Sequence, residues 1–139
     1  MEGLRFWLAI AAASGFLAVA LGAFATHGLQ ARMSAEQAAW FATALRYHMF
    51  HVGGLLAVAL LAAPLAQVQV AGTGGGGITP LALAGWGFLL GTLVFSGLLY
   101  AMALGAPRWL GALVPLGGLA FLGGWASLLL LALRRFGPG

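Results

Sequence analysis

The side chains whose types and spacing could support chemistry are few: His27, Arg46, Tyr47, His48, His51, Ser96 and Tyr100. His48 and His51 are three residues apart and Ser96 and Tyr100 four, so on helices each pair lies on neighbouring turns of one face. Imidazoles ligate zinc, copper and iron through a ring nitrogen, which makes His27, His48 and His51 the candidates for a three-histidine metal site. Haem is the other option. Two histidines one turn apart cannot take opposite axial positions, so His27 would have to pair with one of them. Against a metal stands the lack of a carboxylate inside the membrane that could orient the imidazoles. The expectation is no cofactor, with metal or haem as the alternative.

The elements that position these groups follow from composition. Of 139 residues, 63% are hydrophobic and only 6% charged, against about 25% charged in a soluble domain. A soluble monomer of this composition would be coated in apolar patches. Lipid is therefore the solvent, in keeping with a mean hydropathy of +1.04. A span takes about 20 apolar residues, and four fit, at about residues 4–26, 37–63, 80–104 and 109–133. The fold class is all-α, a four-span transmembrane helix bundle forming a single membrane domain over residues 1–139. Long apolar runs without period-two alternation exclude barrel strands.

Local signals mark the ends of the spans. Gly28 suits a left-handed cap after span one, and Ser34 with Gln37 has capping-box spacing ahead of span two. Span two is then unbroken from Ala35 to Ala63, ending at Pro64. A loop at 66–80 contains the run Gly74 to Gly77, which lacks the Gly-Lys-Ser/Thr of a phosphate-binding loop and reads as a connector. Trp40 and Trp109 fall where interfacial anchors belong. The apolar run after Arg5 is too long for a signal-peptide core, although Ala23-Phe24-Ala25 resembles a cleavage site. Small residues recur at helical spacing: Ala11, Gly15, Ala18, Gly22 and Ala25 in span one, Gly87 and Gly91 in span three, Ala120, Gly124 and Ser127 in span four. In lipid such stripes permit close helix packing.

What is missing narrows the function. The six basic residues, all arginine, are dispersed, so the net charge of +4 forms no nucleic-acid stripe and reads as contact with anionic headgroups. No cysteine is present to supply a thiolate ligand or nucleophile. Both acids, Glu2 and Glu36, lie outside the apolar core, which argues against a proton-coupled exporter built on an intramembrane carboxylate. Ser96-Gly97 lacks the preceding Gly-x of a nucleophile elbow. Arg134 and Arg135 next to span four place the termini in the cytoplasm by the positive-inside rule.

Gly22-Ala23-Phe24-Ala25-Thr26-His27-Gly28-Leu29, the segment from Trp40 to His51, Phe95-Ser96-Gly97-Leu98-Leu99-Tyr100, Val114-Pro115-Leu116-Gly117-Gly118 and Gly123-Gly124-Trp125 resemble, in that order, the YgdD and transmembrane protein 256 family. That family is also called domain of unknown function family 423. The resemblance covers nearly the whole chain, with departures at Thr26, Leu98 and Val114, where Ala, Ser and Thr are usual. It implies a four-span protein of the bacterial inner membrane or of mitochondria, without an established biochemical function. It also singles out His27, Tyr47, His51, Ser96 and Tyr100.

Spacing puts His27, Arg46, Tyr47, His48, His51 and Tyr100 near one membrane face, as one interfacial polar cluster. His27 and His51 are expected to face the bundle interior beside a pocket that includes Tyr47 or Tyr100. The leading functional expectation is a non-enzymatic membrane protein acting by interaction, as an accessory subunit of a larger complex or as a homo-oligomer. The alternative is a small-ligand or metal binding or transport module at the His/Tyr cluster.

Overall fold

A computed structural model describes residues 2–69 and 79–136, and among them every regular element is helical. The helices are α1 (Glu2–Phe24), α2 (Ala35–Gln69), α3 (Pro80–Gly91), α4 (Gly97–Ala103) and α5 (Val114–Phe136). Four helical runs are long and apolar enough to cross a membrane: Gly3–Leu29, Ala35–Ala63, Pro80–Ala103 and Arg108–Arg134. The chain is thus an all-α, four-span membrane protein.

The ends of these runs show where local chemistry decides. Ser34 and Gln37 form the reciprocal capping box: the Gln37 N–H donates to Ser34 Oγ (3.2 Å) and the Ser34 N–H to Gln37 Oε1 (2.9 Å). Thr79 Oγ1 accepts from the Ala82 N–H (3.2 Å), with Pro80 in the first turn where its missing N–H is not needed. Span one does not end on a left-handed Gly28. Instead α1 runs into a π-helical turn (Ala25–Leu29) and a 3-10 turn (Gln30–Arg32), so its last carbonyls find amides farther along without a chain reversal. Gly105, with φ +103°, supplies the left-handed residue between spans three and four. The membrane-spanning part of α2 ends at Ala63, but Pro64 does not stop the helix, which continues to Gln69 and takes in the first residues expected in the loop. One missing backbone bond is tolerable with intact turns on both sides. The glycine run at 74–77 lies outside the described residues.

Span three holds a second π-helical turn, Thr92–Ser96, between α3 and α4. Thr92 Oγ1 donates to the Phe88 carbonyl (2.8 Å) at its start.

Packing joins the spans as two close pairs. α1 lies on α2, and α3 with its π turn lies on α5. The small-residue stripes make these seams: Ala11, Ala18 and Ala25 are buried, and a Cβ on Gly15 or Gly22 would already touch Val52 or Leu45 at 3.4 Å. The α3–α5 approach is tighter, since a Cβ on Gly87 would lie 2.8 Å from the Ala120 carbonyl oxygen and 2.9 Å from Gly124 Cα. The pairs meet where α2 packs on α3, the π turn and α4, around Leu55, Val58, Phe88 and Phe121 on one side and Phe41, Ala44, Leu99 and Tyr100 on the other. α1 approaches span three chiefly where Trp7 packs on Gly85 and Trp86. Beyond that contact a crevice opens between α1 and span three, and another between α2 and α5.

Candidate functional site

Span two runs Ala35–Ala63, so His48 and His51 flank its midpoint. Tyr100, by contrast, lies three residues before the end of span three at Ala103. Buried between apolar helices, a polar group without a partner costs roughly 2–7 kcal/mol by transfer. Both rings are 3% exposed, and both are bonded at each nitrogen.

His48 sits between two hydroxyls. Its Nε2 is 2.9 Å from Ser14 Oγ on α1 and its Nδ1 3.3 Å from Tyr100 Oη on α4. His51, one turn on, turns to the other side of α2. There its Nδ1 donates to the Tyr47 carbonyl oxygen (2.8 Å) and its Nε2 accepts from the Trp125 indole N–H (3.2 Å). Its ring lies flat on Phe121, with centroids 3.4 Å apart and planes 5° apart.

Each histidine belongs to its own crevice. The α1–span three crevice has a volume of about 270 Å³, with Ser14, His48 and Tyr100 on its wall among Ile10, Leu17 and Leu93. Leu17 and Leu93 are also exposed on the outer surface, so the opening faces lipid. Among the described residues no charged side chain lines it. The α2–α5 crevice, about 550 Å³, is walled by Tyr47, Phe50, His51, Phe95, Phe121 and Trp125.

The expected single cluster is therefore divided. His48 and Tyr100 meet, His51 goes to the opposite crevice, and Tyr47 contributes its carbonyl to His51 while its ring, 42% exposed, packs on Phe95. His27 is exposed on the π turn after α1 and does not face the interior, because that turn continues the helix outward. Arg46 is exposed as well. Ser96 Oγ is fully buried and has no hydrogen-bond partner among the described residues. Trp40 lies under the Arg108 guanidinium, 5.6 Å from its ring centroid, and Trp109 is exposed beside the Gly105 turn. Arg108 also pairs with Glu36, tying the start of α2 to the start of span four.

These positions bear on a metal. Among the described residues no three His, Asp or Glu side chains come together to hold one. The three-histidine site is not assembled, since the histidines sit in three separate places and the two buried ones have both nitrogens engaged.

Two partners lay beyond sequence reasoning. Ser14 is a hydroxyl at small-residue spacing between Ala11 and Ala18, a position that forecasts burial against a neighbouring helix without naming it. Trp125 falls in a motif of the resembled family, but nothing in its spacing points to His51.

With this geometry in place, relatives can be compared. A membrane protein of Haemophilus influenzae named UPF0382 is 43% identical over 122 residues, 88% of this chain and 89% of the relative. YwdK of Bacillus subtilis, a UPF0382 membrane protein, is 34% identical over 94% of this chain and 98% of its own length. The UPF0382 inner membrane protein YgdD of Escherichia coli K12 is 38% identical over 94% and 91%. No solved structure matches the chain. The family profile described as protein of unknown function (DUF423) matches residues 21–118, a stretch that contains both buried histidines and Tyr100, and the chain is a member of that membrane-protein family.

Proposed function

We propose that this protein is a non-catalytic binding module that takes a small, largely apolar molecule from the bilayer into the crevice between α1 and span three. The observation that carries the reading is the Ser14–His48–Tyr100 chain, a largely buried set of polar groups that borders a lipid-facing cavity. Polar groups buried within membrane spans are costly, and ligand sites typically combine apolar walls with a few polar groups that fix orientation. The volume of about 270 Å³ sits just under the roughly 300 Å³ low end of such sites, which suits one or two rings or a short chain.

Ser14 Oγ and His48 Nε2 at 2.9 Å also have nucleophile–base geometry. Hydrolysis is disfavoured by the setting. Ser14 lies inside α1, where neighbouring backbone N–H groups are committed to the helix and cannot form an oxyanion hole, and the crevice opens to lipid, which holds no water for turnover.

Gly97 offers a direct test, because it lines the crevice and a Cβ there would meet only the Thr92 carbonyl oxygen, at 4.0 Å. Gly97→Leu should therefore plug the cavity without disturbing the fold. Organic extraction of the chain, purified gently from native membranes, followed by mass spectrometry should find a near-stoichiometric small molecule with the wild type and not with Gly97→Leu. Identical extracts from both, or a stoichiometric protein partner with no small molecule, would replace the binding module with the accessory-subunit reading.

A further inference from the structure

We infer that the molecule bound in the α1–span three crevice is neutral and carries a hydrogen-bond-accepting carbonyl, in the manner of an aryl ketone or a quinone. The inference rests on the binding-module reading and adds the chemistry of the ligand.

It follows from counting protons. Ser14, neutral His48 and Tyr100 together carry three: two on hydroxyls, one on the ring. Their two mutual hydrogen bonds use two. With the proton on Nδ1, the ring donates to Tyr100 and accepts from Ser14, leaving the Tyr100 O–H free. With the proton on Nε2, the Ser14 O–H is free instead. Either tautomer leaves one hydroxyl donor, and among the described residues neither hydroxyl has another partner to take it. Thr92, also on the crevice wall, donates to the Phe88 carbonyl, and among the described residues its hydroxyl makes no hydrogen bond with Ser14 or Tyr100. An unpaired donor in an apolar cavity carries the full desolvation penalty. A ligand that brings an acceptor removes that penalty.

Charge is excluded by the same wall. Among the described residues no arginine lines the crevice, and Arg46 is exposed elsewhere, so an anionic head would enter without a counter-ion. Ester carbonyls of ordinary phospholipids stay at the headgroup level, whereas the crevice opens past the exposed Leu17 and Leu93 and is walled mainly by apolar side chains. A carbonyl on a molecule that dissolves in the hydrocarbon itself fits that wall.

Three probes of similar shape test this: benzophenone, diphenylmethane and diphenylacetate. Each is titrated into the full chain in nanodiscs of ether-linked lipid, at matched bilayer concentration, with thermal stability as the readout. Benzophenone should bind roughly three- to tenfold more tightly than diphenylmethane, the value of one added hydrogen bond, and diphenylacetate should bind least. In Ser14→Ala/Tyr100→Phe that preference should fall toward one while diphenylmethane binding holds. If that double variant does not fold, the wild-type ranking decides alone. Equal binding of ketone and hydrocarbon, or tightest binding of the carboxylate, overturns the carbonyl assignment and leaves the cavity reading standing. No binding by any probe overturns both. Repeating the titration in ester-linked lipid separates the sources: an unchanged preference assigns the site to a dissolved ketone, and its loss to the ester carbonyl of the lipid.

Discussion

His51 has one tautomer available to it. Its Nδ1 faces a carbonyl oxygen, which only accepts, and its Nε2 faces an indole N–H, which only donates. The proton therefore resides on Nδ1 and the ring is neutral, an arrangement that nitrogen NMR of labelled histidine reads directly. Trp125→Phe keeps an aromatic ring near Phe50 and Phe88 but leaves Nε2 without a donor in a site 3% exposed. The expected loss is about 1–3 kcal/mol of stability, measured by unfolding in a denaturing detergent. Combining it with His51→Phe should cost less than the two single losses summed, because the orphaned acceptor is then gone. Additive losses would show that the indole acts through its bulk alone.

At the scale of elements, the close approach of α3 to α5 depends on Gly87. A methyl there would strike the backbone of α5 at Ala120 and Gly124, at distances no side-chain rotation relieves. Gly87→Ala should lower stability by about 1–3 kcal/mol as the helices move apart. Gly53→Ala is the control. A Cβ at Gly53 meets nothing within 4 Å, so the change should raise stability by about 0.5–1 kcal/mol through helix propensity alone. Both follow from thermal melts in the same detergent. These packing stripes were legible in the sequence, as were the four spans and the Ser34–Gln37 box, because each is a local pattern of spacing and residue type. The π turn at Thr92–Ser96 was not, since an apolar run without a breaker reads the same whatever its hydrogen-bond register. Membership of one polar cluster failed because His48 and His51, three residues apart, look to different sides of α2 once helices occupy both.

Across the whole molecule, two hairpins in sequence, α1 with α2 and α3 with α5, meet along α2. Within the first, each buried imidazole is already half satisfied, His48 by Ser14 and His51 by the Tyr47 carbonyl. The second supplies the remaining partners, Tyr100 and Trp125. A protease site introduced at Gly74–Gly77 should thus yield, after cleavage of the purified protein, two fragments that stay together in mild detergent. With Tyr100→Phe and Trp125→Phe both present they should separate more readily, and equal retention would leave apolar packing as the sole glue. The two histidines also give synthesis a sense of order. A first hairpin that has left the insertion machinery alone holds one unmet nitrogen on each imidazole toward lipid, a mark of incompleteness carried in the bilayer itself. Arrival of the second hairpin erases both marks at once, so the pair records whether the protein is finished.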